Sequence, residues 1–266
     1  MVTILLHSSK TMRPANDLRE RTQNTPILAR YADQLISYLK TLSNEQIQKS
    51  MALSAAKATE VTKLIQDYSP AHPTLPAIDI FLGDIYSGLQ SQSFTHSDRE
   101  YANSHLFILS GLYGILRALD EIQPYRLEMG CKFPDLNPYT FWGDKIAQQL
   151  PKHQTIINLS AVEYTKAVFA YFKNIDGLKD VTVITPKFLT VSPKTGEPTF
   201  VTVHAKIARG AYARWLIQNR VETLDTLKSF NEIGYTYSAA LSTPEQPVFV
   251  AKVFKGLGLS VRLSKG

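Results

Sequence analysis

Between residues 181 and 221 six cationic side chains, Lys187, Lys194, Lys206, Arg209, Arg214 and Arg220, share the chain with a single acid, Glu197, in a protein whose formal net charge is +6. Charge concentrated in this way makes a local field that recruits phosphates, and it speaks about partners more than about fold. On a helical wheel of HAKIARGAYARWLIQNR, Lys206, Arg209, Arg214 and Arg220 fall in one broad arc, while Ile207, Ala208, Ala211, Tyr212 and Trp215 follow the spacing of a buried stripe. Trp215 belongs to the packed face rather than to a base-stacking platform. A solvated surface gives the same charge count; the arrangement favours nucleic acid as the partner.

Small polar residues and glycines recur where three expected strands end. The first strand runs into His7, Ser8, Ser9, Lys10 and Thr11, the second into Ser110, Gly111, Leu112, Tyr113 and Gly114, the third into Asn158, Leu159 and Ser160. In open α/β sheets the carboxyl edge is where ligands bind, because amides at the following helix N-termini are free to meet an anion. Each end alone reads as a tight turn, but three together, one carrying a lysine, predict a polar cleft. In PYRLEMG, Arg126 and Glu128 alternate with Tyr125, Leu127 and Met129, so an extended segment points both charges the same way, as a surface ion pair or as a clamp at the cleft rim. A further candidate spans residues 44–67. There residues 50–54 join two expected helices as the turn of a helix-hairpin-helix element would, with Ala58 as the small packing residue and Ser54, Lys57 and Lys63 facing a phosphate. The usual glycines are missing from that turn, and an ordinary helical hairpin fits the same pattern.

Catalysis is harder to read. His7, His72, His96, His105, His153 and His204 are scattered, and none makes a metal-ligand spacing with Cys131 or a carboxylate. No GxGxxG, phosphate-loop lysine or GxSxG motif occurs. The expectation is therefore no metal, no cofactor and no nameable nucleophile.

The elements that must position these residues come in mixed order. Strands are expected at 2–6, 106–109, 155–159, 181–185, 200–203 and 248–254, from β-branched and aromatic enrichment. A helix is expected over 27–40; Ser43 with Gln46 makes a capping box for the next one. Asn137 caps a helix with Pro138 at its first position, running toward Pro151, and Ser160 with Glu163 makes a second capping box. With 266 residues, 44% of them hydrophobic, and no flexible linker, the chain reads as one α/β (mixed α+β) domain: a central mixed sheet surrounded by helices, with the helix-hairpin-helix-like element within it. One cysteine excludes an internal disulfide and fits a reducing cytoplasm. No apolar run reaches the length of a membrane span, and VTILLH lacks the flanks of an export signal.

Seven blocks, in order, carry a resemblance. HSSKTM near the start, FLGDIYSGL, ILSGLYGILRALDEIQPYRLEMG, FWGDKI, INLSAVEY, HAKIARGAYARWLIQNR and FNEIGYTY resemble the YaaA peroxide stress protein family over nearly the whole chain. Family members typically carry SPAKT where this chain has Ser8, Ser9, Lys10 and Thr11 after His7, and a proline where it has Ala118; neither change removes a charge. The resemblance implies a bacterial, cytoplasmic protein of one domain that protects against hydrogen peroxide, helps keep unincorporated iron low, and binds DNA through a positive cleft and a helix-hairpin-helix element.

Two functions follow as expectations. In the first, the protein binds DNA largely without regard to sequence, as a monomer, with Lys10, Lys206 and Arg209 on the cleft floor, Arg214 beside them, and Ser54, Lys57 and Lys63 gripping a second phosphate. In the second it is an enzyme acting on a nucleotide or damaged nucleobase, in a cleft formed by Ser9, Lys10, Thr11, Ser110, Gly111, Tyr113, Gly114, Arg126, Glu128, Asn158 and Ser160, with Tyr113 stacking and Asn158 reading an edge. One thiol and dispersed histidines offer no iron cage.

Overall fold

The strand VTILLH is apolar on both faces, the pattern of a strand covered from both sides. The computed structural model, which describes residues 2–14, 22, 24–69, 71–72 and 74–258, puts it at the centre of a sheet. Among the described residues that sheet has five strands in the order Gly114–Arg117, Leu106–Ser110, Val2–His7, Thr155–Asn158, Val183–Ile184. Val2–His7 pairs in parallel with both neighbours, Leu5 lying opposite Phe107 on one side and Asn158 on the other. Gly114–Arg117 returns antiparallel along the edge. The sheet is thus mixed, and its carboxyl edge gathers His7, Ser110 and Asn158.

A smaller sheet orders Pro198–Thr199, Lys187–Val191, Val248–Ala251 and Tyr235–Tyr237. The helix Thr202–Gln218 lies on it through the expected stripe: Ala208, Ala211, Tyr212 and Trp215 are buried, and the Tyr212 ring meets Phe188, Phe230 and Phe249 at 5.0–5.7 Å. Aromatic pairs of this geometry add to the area they bury. On its other side the helix crosses Asp84–Leu89 so closely that a Cβ on Gly210 would overlap the Ile85 carbonyl oxygen, and one on Gly88 the Ile207 carbonyl oxygen. One continuous apolar core joins both sheets, giving a single mixed α/β domain whose central sheet is flanked by helices. Among the described residues no helix is long and apolar enough to cross a membrane.

The local expectations divide. Helix Ala29–Lys40, the Ser43–Gln46 capping box and the Asn137 cap, whose Oδ1 accepts from the amides of Tyr139 and Thr140, form as read. The helix opened by Pro138 stops at Trp142, because Gly143 turns to φ +51°, and only a 3-10 turn, Ala147–Gln149, precedes Pro151. The strand expected at 200–203 is instead Pro198–Thr199, and helix begins at Thr202. The Ser160–Glu163 box does not form. Ala161 is the N-cap of Val162–Phe169, Glu163 accepts from the Gly130 amide at 2.8 Å, and Ser160 Oγ is buried without a partner among the described residues. Of the three strand ends, only Thr155–Asn158 leads into a helix; Val2–His7 continues to the short strand Thr11–Met12, and Leu106–Ser110 turns back into a hairpin.

Candidate functional site

At the carboxyl edge of the central sheet lies a cleft of about 340 Å³, lined by His7 to Lys10, residues 82–86, Glu128, Ala161, Glu163, Tyr164 and Lys206. Pairing of Thr11–Met12 with Phe81–Leu82 folds the 7–10 segment back across the edge. Gly83, at φ +109°, lets that turn approach, since a Cβ there would sit 2.8 Å from Ser9 Oγ. The close crossing at Gly88 and Gly210 then sets Lys206 on the cleft wall and, one helical turn on, Arg209 near enough for its charge to act on His7. Neither cation has a hydrogen bond or ion pair among the described residues, and Arg209 is half-buried.

His7 is held from both sides. The Ala161 amide donates to its Nδ1 at 3.1 Å, and its ring stacks on Tyr164 at 5.0 Å. Burial above all, then the positive fields of Arg209 and Lys206, lower its pKa from 6.5 to about 3. At neutral pH the imidazole is therefore uncharged. With Nδ1 accepting, its proton sits on Nε2, so the ring offers the cleft a hydrogen-bond donor that carries no charge.

Beneath the cleft a chain of hydroxyls enters the core. Ser8 Oγ donates to Tyr164 Oη at 3.2 Å and also bonds Tyr125, whose hydroxyl lies 2.6 Å from Ser110 Oγ. Burial raises the pKa of Tyr125 and Tyr164, so both remain phenols. Arg126 and Glu128 form an ion pair beside the cleft: Glu128 Oε1 is 2.9 Å from the Arg126 guanidinium and 3.1 Å from Lys10 Nζ. Cys131 Sγ contacts Glu128 Oε2, and burial followed by that carboxylate pushes its thiol pKa up to about 12.

Lys10 also borders a second cavity, of about 350 Å³, shared with Thr11, Lys57, Glu60 and Arg126. One wall of it is the helix Ala55–Gln66, the second of a helical hairpin whose first helix is Asn44–Ser50. Ala52 takes φ +50° in the turn, Ser54 Oγ caps the second helix by accepting from the Lys57 amide, and Ala58 is fully buried at the crossing. Lys57 pairs with Glu60 at 2.5 Å, and Lys63 is exposed without a partner among the described residues.

The remaining expected residues lie elsewhere. Arg214 donates to the Gly88 carbonyl at 3.1 Å and pairs with Glu232, and Arg220 pairs with Asp98 and covers the Tyr101 ring, so the single cationic arc divides into two free and two engaged cations. The Ser110–Gly114 turn is packed inside rather than on the cleft wall. Tyr113 bonds Tyr68 at 2.8 Å, Gly111 lies against the Leu127 carbonyl, and Gly114, at φ +69°, lies under the Trp142 ring. Asn158 is spent on the Ser160 amide and Thr185. Asp84, Glu163 and Tyr164 join the site without being named as site residues from the sequence, although each lies in one of the family blocks; His7 is named there only as part of a strand end. Among the described residues no three His, Cys, Asp or Glu side chains are placed to hold a metal ion.

Fold and cleft together define a mixed α/β protein with Lys206 and an uncharged imidazole at the carboxyl edge of its central sheet. Comparison supplies the family. Residues 2–241 match the family described as peroxide stress protein YaaA. A UPF0246 protein of Salinispora tropica is 51% identical over 263 residues, covering 97% of each chain. Further UPF0246 relatives from Marinomonas sp. and Legionella pneumophila (strain Lens) are 38% and 36% identical, over 92% and 94% of this chain and 95% and 99% of their own. The chain belongs to the YaaA peroxide stress protein family.

Proposed function

We propose that this protein binds the phosphate backbone of DNA across this cleft and the helical hairpin, through the cations at their border, protecting DNA in the bacterial cytoplasm from damage by hydrogen peroxide and iron. The observation that carries the reading is the position of Lys10. It borders both cavities, so Lys206 on one side and Lys57 on the other line one continuous surface with it. Cations drawn from three distant parts of the sequence suit successive phosphates, and contacts of this kind give affinity without base readout. The hairpin acts as a helix-hairpin-helix element in this reading, with Ala52 in the place of the usual glycine. No cofactor is required, and the binding unit is the monomer. Anisotropy titrations with duplexes of unrelated sequence test it. Affinities should agree within about twofold across sequences, and replacing Lys57 and Lys63 together by Glu should weaken all of them about tenfold or more, as the loss of two phosphate contacts demands. Duplexes that ignore the double charge reversal would remove the hairpin from the interface.

The fixed, uncharged His7 favours a second reading, an enzyme acting on a nucleotide or damaged base in the same cleft, since a neutral N–H donor suits a carbonyl or leaving-group oxygen. Incubation with DNA carrying oxidised or deaminated bases separates the two. Base or strand release lost in His7→Gln supports the enzyme; binding without turnover supports the first reading.

A further inference from the structure

We infer that the corner of the cleft bounded by Lys206, Arg209 and His7 is a subsite for a phosphomonoester, the terminal phosphate of a DNA strand or of a nucleoside monophosphate. In its DNA form the inference rests on the function proposed above.

Charge matching is the first argument. Lys10 and Arg126 already share Glu128, whereas Lys206 and Arg209 have no ion pair among the described residues. A backbone diester brings one negative charge. A monoester brings about 1.5 to 2 at neutral pH, on three acceptor oxygens. Two free cations, one of them a planar fork able to bind two oxygens at once, match the second ligand better than the first. His7 Nε2–H supplies a further donor for the third oxygen without adding a third charge.

Burial is the second argument. A half-buried guanidinium without a counter-ion is costly to hold, and Arg209 is one. Next in sequence to Ala161, whose amide holds His7, the Ser160 hydroxyl is buried with no partner among the described residues. Buried polar groups are ordinarily satisfied, so a half-buried guanidinium whose field acts on His7 and an unpartnered hydroxyl next to the residue that holds His7 favour a polar ligand at this corner.

Size is the third. A space of about 340 Å³ admits a nucleotide, whereas a continuous duplex is too wide to enter and can only cross its mouth. Asp84 and Glu163, also on the walls, would repel a phosphate seated against them and leave it the Lys206 and Arg209 corner.

The test is fluorescence anisotropy of the full chain with intact duplexes and with gapped duplexes whose gap ends in phosphate or hydroxyl, on the 3′ or the 5′ side, with thymidine 5′-monophosphate, thymidine and inorganic phosphate as competitors. A phosphorylated gap should bind about tenfold more tightly than its hydroxyl twin, the difference one extra charge-assisted contact makes. Arg209→Gln and Lys206→Ala should each cut that preference to about twofold or less, and Lys206→Arg should keep it, with melting curves showing all three variants folded. If both gap types and the intact duplex bind alike, the subsite is refuted and DNA binding stands. If no duplex binds while thymidine monophosphate does, with the same sensitivity to Arg209→Gln, the subsite stands on a free nucleotide and DNA binding falls. If nothing phosphorylated binds, both fall.

Discussion

Replacing Gly210 by alanine probes the contact that sets the cationic helix against the cleft. A Cβ at this position would overlap the Ile85 carbonyl oxygen and lie 2.7 Å from the Leu89 amide nitrogen, and both obstacles are backbone of a neighbouring helix rather than a side chain that can turn away. Alanine gains about 1 kcal/mol of helix propensity over glycine. Against that, forcing extra volume into a tight contact costs about 1 to 3 kcal/mol, and an interface of two backbones belongs at the upper end. The net destabilisation is about 2 kcal/mol, which in a protein of this size lowers the melting temperature by roughly 4 to 8 °C. Because Lys206 and Arg209 ride on the same helix, the displacement should also spread the cleft and weaken its ligands. Gly196→Ala is the control: its φ of +73° disfavours alanine, but nothing lies within 4 Å of the new Cβ, so only about 1 kcal/mol of backbone strain is expected. Thermal and urea unfolding of both variants provide the measurement. A Gly210→Ala protein that melts at or above the parent temperature would show that the two helices are not held by this contact.

Three further outcomes follow from the site. His7 takes a proton near pH 6.5 when unfolded and only near pH 3 when folded, so the unfolded chain binds more protons between those values and stability falls as the pH drops through 6.5. By pH 5 this amounts to about 2 kcal/mol that His7→Asn should not lose; equal pH slopes in urea unfolding would count against the buried neutral imidazole. Cys131, its thiol pushed up to about 12, should stay unmodified by iodoacetamide or hydrogen peroxide in the native protein at neutral pH, and stoichiometric modification seen by mass spectrometry would contradict its burial. Glu128→Gln strips the counter-charge from Arg126 and Lys10, and should cost about 2 kcal/mol in thermal melts; an unchanged melting temperature would mean that the ion pair is dispensable.

What the sequence made legible was local. The strand VTILLH, the Ser43 and Asn137 caps and the Tyr212–Trp215 stripe follow from apolar period and short-range hydrogen bonds, and they appear where the residues say they should. Other features depend on partners that the local pattern cannot name. A helical wheel shows that Arg214 and Arg220 point outward, but Glu232 and Asp98, which neutralise them, arrive from other segments. The Ser110–Gly114 turn looks like a ligand loop because its glycines permit close approach, yet what approaches is Leu127 and Trp142 rather than a ligand. His7 is one of six scattered histidines by sequence, and its role is fixed by the Ala161 amide, 154 positions away. Lys10 and Lys206 were legible as cations, and their meeting in one cleft depends on the two glycines at the helix crossing.

The most direct test of a phosphate-binding cleft is the salt dependence of duplex affinity, compared between the parent protein and one carrying Lys10→Ala with Lys206→Ala. Each lost phosphate contact removes about 0.9 from the slope of log affinity against log salt concentration, so the double variant should be shallower by about 1.8. A duplex that binds both proteins with the same slope, or binds neither, contradicts the account.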